Sequence, residues 1–575
     1  MDYKPLPIGY ENFNRLISED YYYIDKTLFI KELLDNKTMV NLFTRPRRFG
    51  KTLTLSMLKY FFEDAYDFRG NKEDYRQLFD GMKIMEAGER YTKHMGKYPV
   101  VSLTLKSGKQ STFQSCMKEL RNYFALEFDR HQYILRDDCL SEEEKKRFRD
   151  YMNLKLEAED YKYSLKFLCD CLKKWHGKDV IVLLDEYDVP LEGAYHYGFY
   201  ADMVDFIREL FGSTLKINDS LYFAVITGCL RISKESIFTG LNNLRINSIM
   251  TKNYGEYFGF TEDETRKICD DYQIPENYEQ LKNWYNGYIF GNTNVYNPWS
   301  TIQYIYDHYR TPDEFPMSYW ANTSSNAIVR TLIEMADRKV KDEIEVLIAG
   351  GSIEKPVHED ITYDEIYDNM DNLWNFMFFT GYFKKISERF EDVQTYVTMK
   401  IPNQEVMYIF KNKIRTWFDA KLKKRNPEIL FNAVVNKKTD IIRDEITKML
   451  YVSISFYDYY ENFYHGFLAG ILYGMGDYVI KSNRESGNGR TDLCLKPVSR
   501  FQTAYIFEFK IAKKVSDLEA VAEEAIRQIN DKKYDIEVIN DGYENIVKYG
   551  IAFCGKNCYV MMEQGMNNTD SANCS

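Results

Sequence analysis

Met39-Val-Asn-Leu-Phe-Thr44-Arg45-Pro-Arg-Arg-Phe-Gly50-Lys51-Thr52 decides the first fold. Met39–Thr44 reads as a short apolar strand, and Leu55, Leu58, Phe61 and Phe62 share one side of the helix that follows. A strand, a tight loop and a helix opened by Gly50-Lys51-Thr52 are the mechanical parts of a phosphate-binding loop. Backbone N–H groups at the helix start hold phosphates, Lys51 reaches the β and γ oxygens, and Thr52 ligates Mg²⁺. The strict GxxxxGK[ST] pattern is not met, because Arg45 stands where the first glycine belongs.

Three further apolar stretches extend this reading. Val180-Ile-Val-Leu-Leu184 runs into Asp185-Glu186, a strand ending in two carboxylates. There Asp185 would hold Mg²⁺ and Glu186 would polarise an attacking water; the alternative is a solvated strand end. Tyr222–Thr227 is another apolar strand with a polar end, and Arg231 follows four positions on. Thr227 and Arg231 are candidates for sensing a phosphate, with a structural role as the alternative. Val100–Leu105 supplies a fourth strand. Short, nearly continuous apolar strands separated by polar, helix-rich stretches predict a parallel sheet covered on both faces within residues 1–300.

A second constellation lies near the other end. Glu485-Ser-Gly-Asn-Gly-Arg-Thr-Asp492 precedes Tyr505-Ile-Phe-Glu508-Phe-Lys510. Residues two apart on a strand share a face, so Glu508 and Lys510 point the same way. Opposite charges on an otherwise apolar face are costly unless paired or bound to an ion. Asp492 lies 16 positions before Glu508, enough for a hairpin between their strands. Asp492 and Glu508 would then converge on one divalent cation, their oxygens suiting Mg²⁺ or Mn²⁺. Lys510 would position or deprotonate the attacking water and stabilise developing phosphate charge. The alternative is an ion-pair cluster in a structural domain.

Composition bounds the rest. The 575 residues are 45% hydrophobic and 28% charged, which excludes wholesale disorder and predicts several domains. Lys+Arg 76 against Asp+Glu 87 leaves −11, which argues against a chain coated by nucleic acid but permits one basic groove. Ten cysteines in so long a chain make no disulfide framework, and neither a signal peptide nor a membrane-spanning run is present, so a cytoplasmic location is expected. The stretch with Lys411, Lys413, Arg415, Lys421, Lys423, Lys424 and Arg425 is a candidate DNA-backbone contact or a solvated helix face. Residues 301–430 read as mainly helical, with Leu373–Tyr382 buried and Val397–Ile401 strand-like. Helices are expected at Tyr457–Tyr473 and Asp517–Asn530, and strands near Asp492–Leu495, Tyr505–Ile511 and Val547–Phe553.

Taken in order, these motifs resemble a known family. Ile24-Asp-Lys-Thr27, Arg45-Pro-Arg-Arg-Phe-Gly-Lys-Thr52, Leu183-Leu-Asp-Glu-Tyr-Asp188 and Ile237-Phe-Thr-Gly-Leu-Asn-Asn243 are similar to the bacterial AAA-ATPase-like proteins. So are Trp284-Tyr-Asn-Gly-Tyr288, Tyr296-Asn-Pro-Trp-Ser300 and Trp320-Ala-Asn-Thr323. That family is typically fused to a C-terminal PD-(D/E)XK nuclease domain, and its own loop carries arginine where Arg45 stands. Arg47 and Arg48 would add positive charge near the phosphates or pair with acidic neighbours. The nuclease layout implied by the resemblance adds Glu461 and His465 on a preceding helix, Glu485, and Gln528 with Tyr534 after the ExK strand. Thr491 replaces the nominal proline.

The expected architecture is α/β throughout: a P-loop NTPase domain (1–300), a helical, winged-helix-like middle region (301–430), and a restriction-endonuclease-like domain (431–565) before a frayed tail (566–575). The resemblance implies an ATP-binding protein coupled to a metal-dependent DNA phosphodiesterase, with ATP and Mg²⁺ (or Mn²⁺) as cofactors. A nucleotide-gated module that binds nucleic acid or protein without cutting is the alternative. A homo-oligomer is compatible with the sequence, which does not specify one.

Overall fold

In the computed structural model the described residues are 3–564, except 232–236, 239–240, 312–313, 321–326, 360–362, 364, 367–368, 425–427, 453–460, 473–474, 476–477 and 487–488. Side chains are further excepted at 327, 338, 415–424, 451–452, 461–463, 465–466, 470, 482–486 and 489–490. The chain divides into two compact units: Met1–Ile328 with Ser352–Ile409, and Val329–Gly351 with Phe410–Ser575.

The first unit is built on five parallel strands: β1 Val40–Thr44, β2 Val100–Thr104, β3 Val180–Asp185, β4 Leu221–Gly228 and β5 Leu244–Asn247. They lie in the order β2-β3-β4-β1-β5. Every residue of β1 and β3 is buried, as expected of central strands with helices on both faces. Because β4 inserts between β1 and β3, Thr44 pairs with Gly228 and Leu184 with Ile226. The C-terminal ends of all three strands therefore meet along one rim, where open α/β sheets bind ligands.

A short hairpin follows, β6 Tyr288–Phe290 and β7 Thr293–Val295, turned by Gly291 in the left-handed region. Next comes an antiparallel sheet of β8 Ile353–Val357, β9 Lys384–Glu391 and β10 Gln394–Lys400 in the order β8-β10-β9, with helix Met370–Phe379 between β8 and β9. This strand–helix–hairpin sequence gives the middle region more sheet than expected. Val397–Ile401 overlaps β10, but β8, though its burial alternates, carries Pro356 and a buried Lys355, and most of β9 is exposed, so neither shows in sequence the apolar alternation that marks a half-buried strand. Nor does the stretch 301–430 stand apart, since it is shared between the two units. Within the first unit Gly381 fits against Pro46, where a Cβ would fall 3.0 Å from the proline Cβ. Ser300 Oγ donates to both oxygens of Glu405, at 3.0 and 2.9 Å.

The second unit carries β11 Tyr478–Ser486, β12 Gly489–Pro497, β13 Ala504–Ile511, β14 Ile546–Cys554 and β15 Asn557–Gln564, hydrogen-bonded in that order. All neighbours are antiparallel except β13 and β14, whose parallel connection passes through helix Leu518–Asp531. One sheet face, with Leu493, Phe507 and Tyr549, packs in a core with residues of helices Glu428–Val435, Thr439–Val452 and Glu461–Leu472. The other face, with Cys494 and Ile506, packs on Ile526 and Ile529 of helix Leu518–Asp531. The expected helix at Asp517–Asn530 and the strands near Asp492, Tyr505 and Val547 correspond to these elements. Tyr457 and the tail 566–575 lie outside the described residues.

Candidate functional sites

The loop after β1 holds two residues in the left-handed region, Arg48 at φ +72° and Gly50 at φ +81°. Arg45 is not one of them, so the missing glycine is not required by the backbone. The Lys51 ammonium folds back onto its own loop, donating to the carbonyls of Arg45 and Pro46 at 3.0 Å each. Thr52 Oγ1 donates to Asp185 Oδ2 at 2.7 Å, and the Thr227 hydroxyl donates to Asp185 Oδ1. The first turn of the helix Lys51–Phe62 and the end of β4 thus converge on the buried carboxylate that ends β3. Glu186, the next residue, sits at φ +51°, and burial raises its carboxyl pKa above the ordinary range. A hydroxyl and a carboxylate are hard oxygen donors that fit Mg²⁺, which needs few protein ligands beside phosphate and water.

Two residues expected to touch the cofactor do not line the cleft beside the loop. Arg45 is fully buried: its Nη1 donates to the carbonyls of Thr44 (2.9 Å) and Asn247 (2.6 Å), and its guanidinium lies 5.1 Å from the Phe258 and Phe290 ring centres. Burial brings its pKa down to about 9. Its side chain is part of the core, and only its carbonyl faces Lys51. Arg231 turns to Glu359, 3.9 Å away, and does not line the cleft. Arg47 and Arg48 do line it. Arg47 donates to Glu192 at 2.5 Å, and Arg48 stacks 4.3 Å from the centre of the Trp299 indole.

The cleft above the loop encloses about 400 Å³. Its lining includes the aromatic side chains of Tyr10, Tyr23, Tyr257, Phe260 and Trp299, and Lys106 and Lys109 add positive charge. Sequence reasoning gave these residues no role. The signal was present in Tyr296-Asn-Pro-Trp-Ser300: Asn297 accepts from the Trp299 and Ser300 amides and Pro298 opens the helix Pro298–His308, so the motif fixes where Trp299 stands. Lys26 of Ile24-Asp-Lys-Thr27 likewise lines the cleft and pairs with Glu264 at 2.5 Å.

In the second unit β12 and β13 pair up to Leu493 and Phe507, which puts Asp492 and Glu508 next in register on the face toward helix Leu518–Asp531. Asp492 Oδ2 accepts from the Phe509 amide at 2.8 Å. Glu508 is buried and accepts from Gln528 Nε2, which also donates to the Tyr534 hydroxyl at 3.3 Å. Lys510 lies beside them, its Nζ 3.4 Å from Glu524 Oε1. Two carboxylates are an all-oxygen set of the kind Mg²⁺ or Mn²⁺ accepts; among the described residues no cluster of three or more His, Cys, Asp or Glu forms. Glu485 pairs in the backbone with Arg490 on β12, two residues from Asp492; its side chain and those of Glu461 and His465 lie outside the described residues. So do the side chains of the basic stretch from Arg415 to Arg425.

A parallel sheet in the order β2-β3-β4-β1-β5, with a Gly-Lys-Thr loop after its inner strand β1, defines a P-loop NTPase-like domain, and the second sheet suits a PD-(D/E)XK nuclease. Residues 7–238 match the family model described as Predicted AAA-ATPase, and residues 459–563 match that of the PD-(D/E)XK nuclease superfamily. The chain therefore joins an AAA-ATPase-like domain to a PD-(D/E)XK nuclease superfamily domain. A curated relative from Azotobacter chroococcum mcd 1, "Uncharacterized protein in vnfD 5'region", is 24% identical over 547 residues, covering 93% of each chain. Among the described residues no helix is long and apolar enough to cross a membrane.

Proposed function

We propose that this protein binds and hydrolyses ATP in the first unit and uses the second as a metal-dependent phosphodiesterase acting on DNA. The observation that carries the reading is the meeting of Asp185 with Thr227 and with Thr52, which lines a cleft large enough for a nucleotide. Lys51, Arg47 and Arg48 would take the phosphates, Thr52 and Asp185 would hold Mg²⁺, and the aromatic side chains of the lining would receive the base. Glu186, its pKa raised by burial, is suited to accept a proton from water. In the second unit Asp492 and Glu508 would hold Mg²⁺ or Mn²⁺, which when bound supplies charge stabilisation at the scissile phosphate. Lys510 would orient the water, and Gln528 keeps the Glu508 carboxylate in place.

Binding without cutting has one observation in its favour: Glu524 competes for the Lys510 ammonium. Cleavage of linear duplex and single-stranded DNA with Mg²⁺ or Mn²⁺, with and without ATP, separates the readings. Cleavage is expected from the wild type, lost in Glu508→Ala and altered in its ATP response in Lys51→Ala. If no DNA is cut under any condition while the wild type still binds ATP, the nuclease reading fails and the gated binding module takes its place.

A further inference from the structure

Asp188, three residues past the Mg²⁺ ligand candidate Asp185, stands outside the proposed chemistry, yet it is only 2% exposed where the chain passes from β3 into the helix Val189–Tyr197. Its Oδ2 accepts two backbone amides, Cys229 N at 2.7 Å and Leu230 N at 3.1 Å. The preceding Tyr187 grips the same segment twice: its amide donates to the Thr227 carbonyl at 3.0 Å and its hydroxyl to the Leu230 carbonyl at 2.7 Å. Between these points Gly228 is pressed so closely that a Cβ would fall 2.5 Å from Tyr187 Cε1 and 2.9 Å from Asp188 Oδ1. Four contacts from two consecutive residues thus clamp Thr227–Leu230 onto the end of β3.

That segment carries two groups of the site. Thr227 Oγ1 bonds Asp185 and accepts the Glu186 amide at 3.3 Å, and Cys229 Sγ stands 3.8 Å from Lys51 Nζ. We infer that Asp188 is a positioning residue for hydrolysis: it holds the turn after β4 so that the Thr227 hydroxyl and the Cys229 backbone face the transferring phosphate. It does so as a hydrogen-bond acceptor for two amides, not as a negative charge. The inference rests on the ATPase reading. In that reading Lys51, Thr52 and the cleft walls would hold the nucleotide, so losing the clamp should spare binding and slow turnover.

Steady-state ATP hydrolysis by the full chain tests this, with nucleotide affinity and thermal midpoint measured alongside. In Asp188→Ala kcat should fall about 100-fold, the usual effect of misplacing a reacting group by about an ångström, while KM stays within about threefold. Asp188→Asn should recover turnover to within about threefold of wild type, because the carboxamide oxygen accepts the same two amides. Gly228→Ala, which pushes on the clamp from the other side, should show the same split and decides the matter if Asp188→Ala does not fold. Wild-type turnover with Asp188→Ala unchanged, or Asp188→Asn as inactive as Asp188→Ala, overturns the inference alone. No turnover in the wild type overturns the ATPase reading beneath it.

Discussion

Arg45 shows how far a residue's meaning depends on where its side chain goes. As a basic residue inside a phosphate loop it reads as a phosphate contact, but two carbonyls and two aromatic faces hold it in the core. Arg48 is the reverse case: a non-glycine in the left-handed region, at a cost of about 1 kcal/mol, offset by stacking on Trp299. Glu405 makes a measurable case of burial. It is fully buried, accepts Ser300 Oγ and the Trp320 amide (2.8 Å), and burial raises its pKa from 4.5 to about 7. The folded state then keeps a proton that the unfolded chain releases. Glu405 therefore costs nothing below pH 4.5, costs progressively more as pH rises, and levels off above about pH 7. Denaturant titrations should show Glu405→Gln gaining on the wild type between pH 5 and pH 8, by at most about 3 kcal/mol. An identical difference at both pH values would show that Glu405 titrates normally.

At the scale of elements, β13 and helix Leu518–Asp531 act as one device. The strand presents Glu508 and Lys510 on one face, and the helix meets them with Gln528 and Glu524. Because Gln528 bonds Glu508 and Tyr534 together, removing its amide should leave the carboxylate free to turn. Gln528→Ala should raise the Mn²⁺ concentration for half-maximal DNA cleavage about 10- to 100-fold, the usual effect of losing a group that orients a ligand. An unchanged metal titration with lowered maximal rate would instead put Gln528 in contact with substrate. The alternation of β13 was legible in sequence because one of its faces is apolar except for two charges. β9 was not: with most of its residues exposed, its composition answers to solvent rather than to a core. The helix Pro298–His308 was visible as a motif, yet its contribution of Trp299 to the cleft depends on packing that no local pattern records.

At the scale of the whole molecule each unit has a sheet and a core of its own, so heat should unfold the chain in two steps rather than one. ATP with Mg²⁺ at about 100 times its Kd should stabilise one step by about 2.7 kcal/mol and leave the other unmoved. Calorimetry of Lys51→Ala should show no such shift; a shift of both steps, or of neither in the wild type, would contradict a nucleotide site confined to the first unit. What the sequence determined by itself were the strands β1–β4, β10 and β12–β14, the Gly-Lys-Thr loop, the Asp185-Glu186 pair and the Asp492, Glu508, Lys510 set. These depend on local geometry: periods of two along a strand, a helix start after a tight turn, carboxylates at a strand's end. Tertiary structure alone decided that β4 enters between β1 and β3, bringing Thr227 to Asp185, that Arg45 points inward, and that Asp188 clamps the turn after β4. Each of those outcomes joins residues from about 40 to about 200 positions apart, and the force that chooses among such pairings is burial shared by the whole core, which no short stretch of chain contains.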